Sequence, residues 1–418
     1  MQKLDSKKAY FTHMTVRNVR CFGDPAESLS LSEPDNEAQP ARWTVILGAN
    51  GVGKTTLLRA LGLKDTLIDA QPYHRPIYDR FKRQSCSEAF LAYRLSNRDG
   101  ELRFKLTFGQ TNSGFGSDIL GSEPAMTLPI AAYGAGRNWN DLSADDLWPQ
   151  GTLFDRNAVV RNPSEILSRL EFREIKEQIK GPSRFQMYRD ALTNGVLPDV
   201  SDLRTVFEES DKAVVEFETQ DGWITLDDMS WGYQVFAAFA ADYASRLIDW
   251  YPNSSAPLAE PGICLIDEID LHMHPKWQRE VISQLSEVFP ATQFIVTAHS
   301  PLVVQAAEEA NLVLLERYEE DKSRVRIRND VEAIKGWRID QVLTSDLFGL
   351  DSSRPPSFAK SLEERSDLLK KDKLSKPEQM RLKELNDIAM SLPTEDQDWE
   401  ARAKRALALA SDEFKSAG

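Results

Sequence analysis

Three apolar runs that each end in a polar group suited to phosphate chemistry predict an α/β fold, with buried parallel strands delivering their ends to one site. The first, Trp43-Thr44-Val45-Ile46-Leu47, leads into Gly48-Ala49-Asn50-Gly51-Val52-Gly53-Lys54-Thr55, a complete G-x-x-x-x-G-K-T phosphate-binding loop, and the following Thr56-Leu57-Leu58-Arg59-Ala60-Leu61 reads as a helix. The second, Ile263-Cys264-Leu265-Ile266, ends in Asp267-Glu268. The third, Gln293-Phe294-Ile295-Val296, ends in Thr297-Ala298-His299-Ser300-Pro301.

Each element has a chemical reason. Glycines let the backbone from Asn50 through Gly51, Val52, Gly53 and Lys54 to Thr55 and Thr56 wrap closely and aim N–H groups at phosphate oxygens, and the next helix adds the positive end of its dipole. Lys54 is placed to reach the β and γ phosphates of ATP, and the Thr55 hydroxyl to hold Mg²⁺. Asp267, at its strand end, is expected to assist in holding Mg²⁺, usually through water, while Glu268 polarises the attacking water. His299, at the end of the third strand, is expected to contact the γ-phosphate. Between the phosphate loop and Asp267, Ser230 and Gly232 open the apolar helix that follows Tyr233-Gln234, so their hydroxyl and free N–H groups form a second anion-binding device.

At 418 residues the chain is long for one core and predicts a large domain with insertions, or two to three subdomains. No run is long or apolar enough to span a bilayer, and Met1-Gln2-Lys3-Leu4-Asp5 lacks a signal-peptide core, so a cytoplasmic protein without a membrane partner is expected. Cys21, Cys86 and Cys264 are too scattered for a disulfide framework or a zinc site. A net charge of −14 argues against a surface that is broadly a nucleic-acid footprint. The segment Tyr73 to Arg83 interleaves basic and aromatic residues and leaves nucleic acid open as a partner, although the same pattern fits an ordinary solvated face.

Phosphate loop, Ser-x-Gly, Asp-Glu strand and His strand follow one another in the order of ATP-binding cassette (ABC) ATPases. Within them, the segment from Asp267 through His272-Met273-His274-Pro275 to Gln278, together with Thr297 to Pro301, resembles the RecF-type and OLD-type branch. Met14 to Phe22 resembles that branch's first strand, near the adenine. The resemblance covers residues 11 to 320. It implies an ABC-type core, Glu268 as catalytic base, His299 as γ-phosphate switch, and Ser230, Gly232 and Gln234 as a signature completing a second protomer's site. Head-to-tail dimers or higher oligomers would then sandwich ATP. The signature departs from the usual pattern at Met229 and Trp231, and Ala132 to Arg137 stands where a glutamine loop is expected.

The expected organisation is an N-terminal lobe over 1–70, a hairpin and helical insertion arm over 71–212, a C-terminal lobe over 213–330 and a helical partner-docking region over 331–418. Alternating residues around Asp99-Gly100 predict a hairpin, and a second turn is expected at Asp221-Gly222. Ser375 to Glu378 and Thr394 to Gln397 read as capping boxes. The helical tail without a nuclease, and the segment from Gly336 to Leu350, resemble the ATPases of Septu-type anti-phage systems. That likeness implies a slow ATPase, itself not a nuclease, that regulates a separate nuclease subunit, HNH type favoured. The alternatives are a RecF-like DNA-repair clamp and a two-component system with a TOPRIM-type effector.

Overall fold

In the computed structural model the described residues are 9–66, 83, 86, 88–97, 100–109, 129–136, 149–177, 183–197, 199–207, 213–331, 334, 336–350, 352, 355–371 and 374–391. The chain divides into two compact units between Phe348 and Gly349.

The first unit opens with β1 (Tyr10–Arg17), β2 (Glu27–Ser30), a short hairpin of β3 (Ser32–Glu33) and β4 (Asn36–Pro40), and β5 (Trp43–Gly48), which feeds α1 (Lys54–Thr66). β6 (Glu88–Asn97) and β7 (Gly100–Gly109) follow as an antiparallel hairpin in which Asn97 pairs with Gly100, and then β8 (Ile130–Tyr133). Next come α2 (Pro163–Glu177), α3 (Arg184–Ala191), and the three strands β9 (Asp202–Phe207), β10 (Ala213–Thr219) and β11 (Gly222–Thr225). The twenty-residue α4 (Trp231–Trp250) precedes β12 (Gly262–Ile266), α5 (Pro275–Val288), β13 (Thr292–Thr297), α6 (Pro301–Ala306), β14 (Asn311–Arg317), β15 (Val325–Arg328) and α7 (Ile339–Thr344).

The three apolar runs become neighbours in a six-stranded sheet ordered β15-β14-β5-β13-β12-β8. All its pairs are parallel except β14 with β15. A parallel interior strand is covered on both faces, so β5, β12 and β13 are buried almost throughout, as continuous apolar sequence requires. Alternation then divides the side chains. Trp43, Val45 and Leu47 join a core with Phe239 and Phe294, while Ile46 faces a second core with Leu57, Leu61 and Phe11.

The second core is roofed by an antiparallel sheet, β2-β1-β6-β7, in which Met14 pairs with Tyr93. Alternate residues of β6, Ala89, Leu91, Tyr93 and Leu95, are buried, and the Tyr93 hydroxyl donates to the Ala60 carbonyl of α1 at 2.7 Å. The expected arm over 71–212 includes strands of these sheets. Its described strands β6 and β7 are part of the roof, and β8 closes one edge of the central sheet, because both carry enough apolar surface to be covered by the core.

The second unit contains a helical hairpin of α8 (Pro356–Leu369) and α9 (Lys376–Ser391). Ser375 caps α9 as expected, its N–H and hydroxyl both donating to Glu378, at 2.8 and 2.7 Å. The helices are joined by Arg381, which donates to both carboxylate oxygens of Glu364 at 2.9 and 2.8 Å. Asp99, Thr394 to Gln397 and most of Tyr73 to Arg83 lie outside the described residues.

Gln293 stitches the two sheets. It is fully buried, its Oε1 accepting from Phe11 N at 2.9 Å and its Nε2 donating to Phe11 O and Ala41 O at 2.8 and 3.2 Å. Gln293→Leu leaves these backbone groups unpaired, and a loss of about 3 kcal/mol is expected in urea unfolding. An unchanged midpoint would show that the stitch contributes nothing.

Candidate nucleotide site

The phosphate loop takes a left-handed backbone that favours glycine at three positions. Gly48, Gly51 and Gly53 have φ of 138°, 77° and 98°. A Cβ on Gly48 would stand 2.4 Å from the Leu315 carbonyl oxygen, and one on Gly53 would stand 2.5 Å from Cys21 Sγ. Asn50 and Gly51 are exposed, Val52 anchors the loop in the second core, and Lys54 and Thr56 are buried at the start of α1. Lys54 Nζ donates to the carbonyls of Gly48 and Ala49 at 2.6 and 3.0 Å. Burial weakens its hold on the proton, and the charges of Asp267, Glu268 and Asp270 oppose that shift. Arg317, at the end of β14, donates to the Gly51 carbonyl at 3.0 Å. Sequence reasoning missed it, because its relation to the loop comes from β14 lying beside β5.

Asp267 stands just past the end of β12 and receives two hydroxyls. Thr55 donates to its Oδ2 and Thr297 to its Oδ1, each at 2.7 Å. The Thr297 oxygen also accepts the Glu268 N–H at 2.7 Å. Glu268 adopts φ of 52°, a left-handed conformation that costs a non-glycine residue about 1–2 kcal/mol and is held here by neighbouring contacts. One of these is the Ile269 N–H donating to the Thr297 carbonyl at 3.0 Å. The expected Mg²⁺ ligands Thr55 and Asp267 are therefore adjacent oxygen donors beside a glycine cradle, a set that fits a hard cation also held by phosphate oxygens. No cluster of three or more His, Cys, Asp or Glu ligands occurs among the described residues.

His299 is exposed just past β13, and its N–H donates to Asp270 Oδ2 at 3.0 Å. The other Asp270 oxygen is buried without a hydrogen-bond partner. Gln278 ties this segment together: its Nε2 donates to the carbonyls of Asp270 and Met273 at 3.3 and 3.0 Å, and its Oε1 accepts from Ser300 at 2.6 Å.

Ser230 is the exposed N-cap of α4, extended at φ −61°, with a side chain that makes no capping bond. Gly232 presses on the loop after Glu268, since a Cβ there would stand 2.1 Å from the His272 carbonyl oxygen. Gln234, expected with Ser230 and Gly232 to complete a second protomer's site, has its Nε2 donating to the carbonyls of Asp227 and Met229 at 2.9 and 2.8 Å, so its amide braces the turn that carries Ser230. Trp231 is 49% exposed. Arg137 lies outside the described residues.

Residues 138–305 match a family model described as "AAA domain, putative AbiEii toxin, Type IV TA system". The chain is 26% identical over 375 residues to the Septu protein PtuA of Bacillus mycoides, covering 85% of this chain but 47% of that protein. It is 24% identical to the Septu protein PtuA of Bacillus thuringiensis, over 77% of this chain and 84% of that one. To the Retron Ec83 probable ATPase of Escherichia coli it is 37% identical over 161 residues, 38% of this chain and 28% of that one. This chain thus spans about half the length of the first of these relatives. Similar solved structures include the SMC head domain from Thermotoga maritima, at 14% identity and a TM-score of 0.44 over 77% of this chain and 99% of that one. The recombination mediator protein RecF is similar at 13% identity and a TM-score of 0.43, over 78% and 100% of the two chains. In fold the chain is an α/β protein whose glycine-rich loop follows a strand of a mainly parallel six-stranded sheet, and in sequence it resembles the Septu protein PtuA over most of its length and a retron ATPase over a shorter part.

Proposed function

We propose that this chain is the ATP-binding and ATP-hydrolysing subunit of a bacterial anti-phage defence complex, in which ATP-sandwiched protomers control a nuclease acting in trans, with an HNH nuclease favoured. The hydrogen-bonded series Thr55, Asp267, Thr297 and Glu268 beside the phosphate loop carries the ATPase part. The similarity to the Septu protein PtuA supports the defence part.

In this reading the loop from Asn50 to Thr56 holds the phosphates through backbone N–H groups, and Lys54 swings from its carbonyl partners to the β and γ oxygens. Thr55 and Asp267 hold Mg²⁺, which when bound offsets charge on the phosphates. Glu268 takes the proton of the attacking water, and His299 contacts the γ-phosphate. Ser230 and Gly232, positioned by Gln234, complete the site of a second copy, so the assembly is head to tail. Nucleic acid would be met by the assembly or by the nuclease it restrains. Among the described residues no helix is long and apolar enough to cross a membrane.

Lys54→Ala is expected to abolish binding of a fluorescent ATP analogue. Glu268→Gln should keep binding while lowering kcat about 100-fold or more, the usual contribution of a positioned base; retained turnover would remove Glu268 from that role.

Ser230→Arg alone should abolish turnover with analogue affinity nearly unchanged. Mixing it with Lys54→Ala should then restore about a quarter of wild-type activity, because half of randomly assorted dimers carry one intact composite site. No restoration in a mixture shown to exchange protomers would refute the shared site.

A further inference from the structure

Beneath the nucleotide site, the helix that begins with the signature is fastened to the edge of the central sheet by a buried acid. Asp242 lies in the middle of α4 and is fully buried. Its Oδ2 accepts from the Tyr133 hydroxyl at 2.6 Å and from Arg246 Nε at 2.7 Å, and its Oδ1 accepts from the Arg161 N–H at 3.2 Å. Arg161 Nη1 continues to Ser245 Oγ and Asp249 Oδ2, at 2.7 and 2.6 Å. Burial, with the Asp242 charge, pushes the Tyr133 phenol far above its ordinary value, so it stays a donor.

Tyr133 has a second connection. It is the last residue of β8, and its carbonyl accepts the Asp267 N–H at 2.8 Å. The chain is closely packed just past this strand end, where a Cβ on the next residue, Gly134, would stand 2.2 Å from the Thr152 carbonyl oxygen. One residue therefore takes α4 on its hydroxyl and Asp267 on its carbonyl. The same helix meets the segment after Asp267 again where Gly232 packs on His272. A buried ion pair adds little stability over apolar packing of equal volume.

We propose that the Tyr133–Asp242 hydrogen bond is a positioning contact that sets the signature helix against Asp267, governing ATP turnover and leaving ATP capture untouched. The proposal rests on the ATPase reading above. Capture is spared because the phosphate loop hangs from β5, separated from β8 by β13 and β12.

The test compares wild type, Tyr133→Phe and Tyr188→Phe in the full chain. Tyr188 is buried in the same core with a hydroxyl that has no hydrogen-bond partner, so it controls for loss of a phenol oxygen alone. Steady-state ATP hydrolysis with Mg²⁺, binding of a fluorescent ATP analogue, and amide exchange over residues 230–236 with and without ATP are measured. Tyr133→Phe is expected to lower kcat about tenfold, the scale of one hydrogen bond to a charged group. Analogue affinity should stay within about twofold, separating turnover from binding. ATP-induced protection over 230–236 should shrink, and Tyr188→Phe should match wild type throughout. Full turnover by Tyr133→Phe, or parallel loss of turnover and affinity, overturns the proposal. If wild type binds the analogue but hydrolyses no ATP, the ATPase reading fails and exchange decides: undiminished protection in Tyr133→Phe overturns the positioning contact, and diminished protection upholds it.

Discussion

The carboxylate of Asp267, held between two threonine hydroxyls, is the contact on which the nucleotide site depends. It is 5% exposed, and a buried charge is costly unless it is hydrogen-bonded. Thr55 comes from the first turn of α1 and Thr297 from the end of β13, so satisfying one side chain fixes β12 against both the phosphate loop and the neighbouring strand. Thr297 passes the constraint on by accepting the Glu268 N–H. The left-handed backbone at Glu268 is thus stabilised by the same group that orders its neighbour.

Strand order makes this economy available. β13 lies between β5 and β12, so a hydroxyl at its end reaches the Asp267 carboxylate, while the Thr55 hydroxyl arrives from the helix that β5 launches. Ligands of open α/β sheets sit at such carboxyl ends, where successive strands leave a crevice. The signature approaches from a different direction. Gly232 lets α4 sit directly on the His272 carbonyl, and Asp242 holds the body of that helix to β8. One helix thus meets both the segment after Asp267 and the neighbouring strand β8.

Which parts of this were legible beforehand follows from the range of the interactions. The phosphate loop, the Asp-Glu strand end and the Ser375 cap depend on neighbours a few residues away, so their residue types betray them. Thr297 was visible as a strand end but not as a bridge, because its bonds to Asp267 and Glu268 cross 30 and 29 residues. Gln293 and Phe11 are 282 residues apart, and Asp242 and Tyr133 are 109 apart. No periodicity marks such pairs. Gln234 sits in a motif that suggests ligand contact, yet two nearby carbonyls engage its amide. The arm expected over 71–212 illustrates the same limit: its hairpin was readable from alternation, but the strand it would pair with was not.

Local chemistry, then, was enough to define a phosphate-binding loop, the carboxylates that accompany it and an α/β core of buried parallel strands, because glycine conformation, apolar runs and strand-end polarity are properties of adjacent residues. Long-range packing decided that β6 and β7 roof the core, that β8 closes the sheet, that Arg317 meets the loop and that Asp242 joins α4 to Tyr133 of β8. Those outcomes depend on which buried polar groups find partners once the strands are ordered, and that ordering exists only when the whole chain has folded.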